Sequence, residues 1–520
     1  MLVMIRTDAS QQIGSGHVFR CLTLAETLRE SGVTIEFITR NHLGNLNNQI
    51  RNKGIKVNLL PDSIVKSKIT LEGYEQWLNV TQEEDAEETI RSLAGKKIDW
   101  LIIDHYALDY KWEDKLRPYT KKIMVIDDLA NRSHDCDLLL DQNYIHDKYR
   151  YNQLTAPDTI KLLGPKYALL RKDFVGNLEK QPNHYHEINR VFLFFGGADP
   201  DDLTSTALQV LSQPKLKHLL VDVVIGSSNP HQAKLQNQIK KHSNVKLHIQ
   251  VDNIAELMTK ADIALGAGGS TTWERMAIGL PSIVVTIAEN QIAFTKALDK
   301  EGYLKWLGNA DQIDENTIYN ALIDAIENPH QLLELSHKGK QLVDGRGVQR
   351  VSQLLTVGPK AETLTMRRAT EKDSQLYWHW ANDPVVRENA FSQQTIGWEE
   401  HQKWFDQRLN DENTMLLLIE SDFTPIGQVR FDRVGSHFTI GYSIAKQFRG
   451  FGWGKKMLSK AIDYLRQQQA FTIIGEVKDN NSASKRVLEN LGFTEAPPPP
   501  EKRDGTSYFQ LQFSLTVLHG

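Results

Sequence analysis

Four residues near the start of the chain, Gly14-Ser15-Gly16-His17, place a histidine on a glycine turn directly after an apolar run. Glycines let a backbone approach a ligand closely, and the first turn of a helix leaves N–H groups unpaired, so the turn suits an anion and presents an imidazole beside it. An imidazole titrates near neutrality and can take a proton from water. A helix N-terminus opposes positive charge and favours the neutral, basic ring. Taken alone, His17 also reads as a helix cap. A second segment, Gly266-Ala267-Gly268-Gly269-Ser270-Thr271-Thr272-Trp273-Glu274, lies between another apolar run and a helix. Gly269, Ser270 and Thr271 at a helix start can cradle a pyrophosphate. Glu274, one turn in, can accept from a ribose diol or simply complement the helix dipole. Gly197, in the turn Gly196-Gly197-Ala198-Asp199, is expected to face the same cleft. Neither loop carries the lysine of a nucleotide-triphosphate P-loop. A third segment, Gln447-Phe448-Arg449-Gly450-Phe451-Gly452-Trp453-Gly454-Lys455, again sets successive backbone N–H groups at a helix start, with Arg449 adding charge. It follows Ile440-Gly441-Tyr442-Ser443-Ile444 and precedes Asn480-Asn481-Ser482-Ala483-Ser484, a pattern that reads as a site for acetyl-CoA.

The elements that must position these residues follow from apolar periodicity. Strands are expected at Leu2 to Arg6, Val33 to Thr39, Ile55 to Leu60, Trp100 to Asp104, Lys122 to Asp127 and Asp137 to Asp141, alternating with helices as in a doubly wound parallel sheet. Val18, Cys21, Leu22, Ala25 and Leu28 recur at helical spacing and Gly32 supplies the stop, which makes the first unit βαβ. A second series runs through Val191 to Phe195, Leu219 to Ile225, Val245 to Ile249, Ile263 to Leu265 and Ser282 to Ile287. Two such sheets leave a cleft at their strand C-terminal ends, where open α/β sheets bind ligands. The last third reads as a mixed α+β domain, with strands at Leu364 to Arg367, Met415 to Ile419, Ile426 to Phe431, Phe438 to Ile444, Ile473 to Val477 and Tyr508 to Phe513. Polar stretches at 179–184 and 358–362 read as linkers. The expected domains are 1–178, a Rossmann-like lobe carrying His17; 186–356, a second Rossmann-like lobe for the nucleotide; and 363–517. Pro497 to Pro500 reads as an extended loop.

With 520 residues the chain is too long for one core. Its 40% hydrophobic and 24% charged content describes a globular protein. A net charge of -4 and a pI near 6.5 offer no large basic surface for nucleic acid or anionic lipid. No apolar run approaches the roughly 20 residues of a membrane span, and Met1-Leu2-Val3-Met4 leads into a strand, so a cytoplasmic location is expected. The two cysteines, Cys21 and Cys136, sit in apolar patterns and read as core residues. His134-Asp135-Cys136-Asp137 alternates across a strand entrance and does not converge on one ion, so no metal is expected.

Several blocks then resemble a known family. Asp8 to Cys21, Ile103-Asp104-His105-Tyr106, Val125 to Ala130, Gly164 to Arg171, Phe195-Gly196-Gly197 and Gly266 to Glu274, in that order over residues 1 to 350, are similar to the UDP-2,4-diacetamido-2,4,6-trideoxy-beta-L-altropyranose hydrolases of pseudaminic acid biosynthesis. That family is itself similar to the two-lobed GT-B glycosyltransferases. The resemblance implies transfer to water with inversion at the anomeric carbon and UDP as leaving group. It implies His17 as catalytic base, with Arg171, Glu274, Asn290 and Gln291 holding the substrate. Tyr106 and Asp104 then line the sugar pocket, Asp104 being equally readable as a turn residue. Residues 364 to 515 resemble the GNAT N-acetyltransferases. Among these they look most like enzymes acetylating the 4-amino group of a UDP-linked 4-amino-4,6-dideoxy sugar, and next like ribosomal-protein alanine acetyltransferases. The resemblance implies direct attack of an amine on the thioester of acetyl-CoA, with Gly450, Phe451, Gly452, Gly454, Lys455, Arg449 and Asn481 at the cosubstrate. Leu488 stands where many members carry a tyrosine proton donor, leaving Tyr442, Ser484 or solvent as the acid and Glu476 or His401 as candidate bases. The two implied activities are consecutive, since the acetylated product is the hydrolase substrate. The partners expected are therefore UDP-linked amino sugars and acetyl-CoA. The alternative is a GT-B glycosyltransferase fused to a protein N-terminal acetyltransferase.

Overall fold

The computed structural model describes residues 1–61, 72–144, 147, 149–176, 187–227, 229–240, 242–251, 253–357, 364–421, 424–449, 452–466, 471–498 and 504–513. Both expected linkers, Gly450 and Phe451 lie outside the described residues, as do Pro499 and Pro500. The chain forms two compact units. One comprises Met1–Thr155 with Lys161–Ser352, and the other Ala156–Ile160 with Gln353–Gly520.

The first unit holds two sheets. Strands β1 (Leu2–Thr7), β2 (Thr34–Arg40), β3 (Lys56–Leu60), β4 (Ile98–Asp104), β5 (Thr120–Ile126), β6 (Leu138–Asp141) and β7 (Ile160–Leu163) are ordered β3-β2-β1-β4-β5-β6-β7. The pairs from β3 through β6 are parallel. Strands β8 (Arg190–Phe194), β9 (Leu220–Ile225), β10 (Val245–Ile249), β11 (Ile263–Ala267), β12 (Ser282–Thr286) and β13 (Lys305–Asn309) make a second, wholly parallel sheet ordered β10-β9-β8-β11-β12-β13. Each sheet reverses its winding once, between β1 and β4 in the first and between β8 and β11 in the second. A loop leaving either strand at such a switch point faces an open crevice. Central strands read as continuous apolar runs because helices cover both faces; Val3, Met4 and Ile5 are fully buried, each contributing about 1.5–3 kcal/mol by burial. On the helix Gly16–Glu30, the residues Val18, Cys21, Leu22, Ala25 and Leu28 all face the core. This is the two-lobed, GT-B-like arrangement of the expected fold class.

Strands β7 and β13 were not expected. The first has only four residues, and the second is an edge strand with a register shift opposite Val284/Val285, so neither displays a long apolar run.

The second unit is built on a mixed sheet. Strands β14 (Leu364–Arg368), β15 (Thr414–Ser421), β16 (Thr424–Val434), β17 (His437–Ile444), β18 (Phe471–Lys478), β19 (Thr494–Glu495) and β20 (Thr506–Phe513) are ordered β14-β15-β16-β17-β18-β20-β19. All pairs are antiparallel except β17 with β18. That parallel pairing stops at Ile440↔Gly475, although β17 continues to Ile444 and β18 to Lys478. The helix Trp453–Arg466 follows β17, so its N-terminus belongs to the same region of the chain as the unpaired strand ends.

Among the described residues no helix is long and apolar enough to cross a membrane. Both cysteines are buried as free thiols.

Candidate functional site

His17 is the second residue of the helix that follows β1, and Asp104 is the last residue of β4, the neighbouring strand across the switch point. Parallel pairing sets Thr7 beside Asp104, which brings two segments 87 residues apart into contact. The imidazole Nδ1 lies 2.6 Å from Asp104 Oδ1. Burial would raise the Asp104 carboxyl, but Arg20 and His17 outweigh it and hold the group well below the usual carboxylate range. An ionised carboxylate only accepts, so Nδ1 carries the hydrogen and donates it, and in the neutral ring the lone pair is then on Nε2. Arg20 Nη2 is 3.2 Å from Nδ1 but gives its hydrogen to Asp104 Oδ1 at 2.6 Å, while Nε donates to Oδ2 at 2.6 Å. His17 is therefore not a helix cap. Ser15 occupies the N-cap position without a side-chain bond, and the backbone N–H of Gly14 donates to Ser10 O at 2.9 Å. Gly14, Ser15 and Gly16 thus stand together at the helix start, as expected.

Asp104 is fully buried, so it neither lines a pocket nor makes a turn but backs the imidazole. Tyr106, two residues on, meets His17 edge-on with ring centroids 4.7 Å apart. Its hydroxyl donates to Asp128 Oδ1 at 2.5 Å, and burial beside Asp128 pushes the phenol well up. Trp77 stacks on Tyr106 at 5.3 Å, and Tyr74 meets both rings edge-on. Neither Trp77 nor Tyr74 carried any signal in the sequence, because a short 3-10 turn has no periodicity. Arg20 did, since three residues after His17 on a helix means the same face. Asp128 lay within a resembling block but had no assigned role.

The second lobe meets this group through Asn290, which reaches Tyr106. Gly269, Ser270 and Thr271 lie where β11 gives way to the helix Thr271–Ile278, beside the second switch point, with Ser270 exposed at the N-cap. Gly266 must lack a side chain, since a Cβ there would sit 2.2 Å from Phe194 O on the adjoining strand. Behind this loop Arg275 is fully buried, donating through Nη2 to Ala267 O at 2.8 Å and Thr272 Oγ1 at 3.0 Å. Burial lowers it to about 10, so it remains a cation at neutral pH and biases the loop toward an anion. Arg171 approaches Glu274 with Nη2 3.7 Å from Oε1, and burial raises the Glu274 carboxyl despite that neighbour. Gly197 follows β8, and its carbonyl accepts from Gly226 N at 2.9 Å. Asn290 and Gln291 open the helix Glu289–Lys300. Gln291 Oε1 accepts from Ile287 N at 3.0 Å, whereas Asn290 Nδ2 donates to Tyr106 Oη of the first lobe at 3.2 Å.

The site of the second unit is made mostly of backbone. Gly452 has φ of 74° and open space where a side chain would begin, while Gly454 packs near Ile444 and Val487 within the helix Trp453–Arg466. Lys455 is exposed on that helix. Two expected contacts are engaged within the protein. Arg449 donates through Nε to Ile444 O at 3.0 Å and pairs with Asp383 at 2.8 Å. Asn481 caps the helix Ser482–Glu489 by accepting from Ser484 N at 3.1 Å. Tyr442 Oη and Ser484 Oγ are 2.9 Å apart. His401 is buried among aromatic rings with Nε2 2.8 Å from Ser374 O, and burial lowers its basicity, which removes it as a surface base. In the first unit His134 Nδ1 is 2.7 Å from Glu113, a buried pair.

Two stretches of the chain match known family models. Residues 191–350 match the glycosyltransferase family 28 C-terminal domain, and residues 363–494 match the acetyltransferase (GNAT) domain. An uncharacterized protein of Methanocaldococcus jannaschii is 25% identical over 511 residues, 95% of this chain and 96% of that one. The spore coat polysaccharide biosynthesis protein SpsG of Bacillus subtilis is 26% identical over 360 residues, 68% of this chain and 98% of that one. A UDP-2,4-diacetamido-2,4,6-trideoxy-beta-L-altropyranose hydrolase of Campylobacter jejuni is 28% identical over 305 residues, 58% of this chain and 98% of that one. The chain joins a hydrolase-like, two-lobed region to an acetyltransferase-type domain.

Proposed function

We propose that this chain is a bifunctional enzyme acting on UDP-linked amino sugars in two consecutive steps. The last third, 363–517, transfers an acetyl group from acetyl-CoA to the 4-amino group of UDP-4-amino-4,6-dideoxy-N-acetyl-beta-L-altrosamine. The lobes 1–178 and 186–356 hydrolyse the product to 2,4-diacetamido-2,4,6-trideoxy-L-altrose and UDP. The observation that carries the hydrolytic reading is the His17–Asp104 pair, which leaves a basic Nε2 beside the aromatic wall of Tyr106 and Trp77.

In the hydrolytic step Nε2 takes a proton from water as its oxygen bonds to the anomeric carbon. The bond from that carbon to the diphosphate oxygen breaks, and the electron pair leaves with UDP, inverting the centre. Charge on the departing diphosphate is met by backbone N–H groups at Gly269, Ser270 and Thr271, by Arg171 and by the field of buried Arg275, so the step needs no metal. Glu274 accepts from the ribose, while Asn290, Gln291, Gly197 and the Gly14-Ser15-Gly16 turn shape the sugar and nucleotide pocket. Aromatic faces suit the methyl-bearing side of a 6-deoxy sugar.

For the acetyl step the cosubstrate supplies an activated thioester. The residues fit it in two respects. The helix start has open space at Gly452 for a pyrophosphate to approach the backbone, and the ends of β17 and β18, which do not pair with each other, leave backbone groups between them that can hold a carbonyl and a pantetheine arm. Tyr442 or Ser484, whose hydroxyls lie 2.9 Å apart, or solvent returns a proton to the thiolate. The hydrolase from Campylobacter jejuni and the acetyltransferase match support this pairing of activities. Incubating the protein with the UDP-4-amino sugar, with and without acetyl-CoA, and following sugar NMR signals tests it. Acetylation first and free sugar second, both without an acceptor, are expected. UDP release that requires an acceptor sugar or lipid would instead mean glycosyl transfer.

A further inference from the structure

Hydrogen bonds run without a break from the second lobe to the imidazole. Asn290 Nδ2 donates to Tyr106 Oη at 3.2 Å, and the Tyr106 hydroxyl donates to Asp128 Oδ1 at 2.5 Å. Asp128 Oδ2 pairs with Arg20 Nη1 at 3.3 Å. Arg20 then grips both oxygens of Asp104 through Nε and Nη2, and Asp104 Oδ1 accepts from His17 Nδ1. The side chains of Arg20, Asp104 and Asp128 are between 0% and 10% exposed, so water competes poorly for these bonds.

The guanidinium explains why the chain transmits position. Its donors lie in one rigid plane, so the edge that holds Asp104 side-on fixes where the remaining nitrogen points, and that nitrogen meets Asp128. Asp128 is held in turn by a phenol whose oxygen accepts from the opposite lobe. The two 2.6 Å bonds to Asp104 set the guanidinium plane and the 3.3 Å bond to Asp128 restrains its remaining edge, so losing Asp128 frees that plane to tilt together with the Asp104 oxygen that accepts from the imidazole. A lysine could supply the charge of Arg20 but not the fork.

Building on the hydrolytic reading above, we propose that Arg20 and Asp128 are positioning residues that make alignment of the His17–Asp104 pair conditional on the Tyr106–Asn290 bond between the lobes. The site then becomes basic in the right direction only when both lobes contribute, which protects against unproductive attack by water on a half-bound nucleotide sugar.

The test uses the full chain and the diacetamido UDP-sugar. Asp128→Asn, which preserves size, and Arg20→Lys, which preserves charge, are each expected to lower kcat for UDP release about ten- to hundredfold, with KM and calorimetric UDP affinity within about twofold of the parent. Combining Asp128→Asn with Asn290→Ala is expected to lower kcat no further than the worse single change, because both interrupt one path. Unchanged kcat in Asp128→Asn, losses that multiply in the double variant, or a parallel fall in UDP affinity would each overturn the proposal. If instead His17→Ala still releases UDP at the parental rate, the hydrolytic reading itself fails, which separates the two outcomes.

Discussion

The candidate sites of the two units are built by opposite means. In the first unit a histidine, two carboxylates, an arginine and a tyrosine from widely separated segments are locked to one another in a nearly dry interior. In the second, a short contiguous run opens at Gly452, and Arg449 beside it is tied to Asp383 and a carbonyl. The difference follows from what each must supply. Proton abstraction needs one atom with a defined tautomer, which only side-chain partners impose. Gripping a pyrophosphate needs several weak donors in a row, which a helix N-terminus provides without any side chain. The first kind of site should therefore fail when a single side chain changes, and the second when backbone conformation or access changes.

The sharpest break of this contrast is His17→Ala. Loss of the base is expected to lower UDP release by about 10²- to 10⁴-fold while leaving acetyl transfer at its parental rate, measured on the same preparation. Loss of both activities would mean that the sites are not independent. Gly452→Asp is expected to do the converse. A non-glycine residue at φ of 74° strains the loop by about 1–3 kcal/mol, equivalent to about 5- to 150-fold against the conformation that acetyl-CoA requires, and the carboxylate adds repulsion toward a pyrophosphate. Retained acetyl transfer would remove this loop from the mechanism.

A smaller effect concerns the aromatic wall. Trp77→Ala removes the ring stacked on Tyr106, and KM for the UDP-sugar is expected to rise about two- to tenfold with kcat little changed. A kcat loss as large as that of His17→Ala would instead make Trp77 part of the alignment of the base. The smallest effect appears in stability alone. Burial, reinforced by Asp128, pushes Asp141 up to about 8, whereas the unfolded chain titrates at about 4. The folded state holds this proton more tightly, so the associated stability is complete below about pH 4 and is lost as pH rises to about 8. Asp141→Asn leaves Tyr151 a partner and should flatten the fall of the unfolding midpoint between about pH 5 and pH 8. An unaltered slope would assign that pH dependence to other groups.

How much of this was legible beforehand differs between elements and partners. The β1 strand, the helix from Gly16 and the loop before Thr271 could be read directly, because apolar runs and glycines act over a few residues. The short strands β7 and β13 could not, since edge strands of four or five residues bury too little to show a pattern. Reading Asp104 as a pocket or turn residue missed its role, and Trp77 and Tyr74 were not foreseen. Arg449 and Asn481 were expected at the cosubstrate, and their protein partners, Asp383 and the backbone of Ser484, were not foreseen.

By itself the sequence determined which segments become strands and helices, where the glycine loops fall and that His17 opens a helix, since these depend on local propensity and periodicity. Only the tertiary structure decided what His17 touches. Placing β4 beside β1, and the helix at Asn290 near Tyr106, is a matter of strand order and lobe packing. Those long-range contacts give a ring of ambiguous role one defined partner, Asp104, on Nδ1.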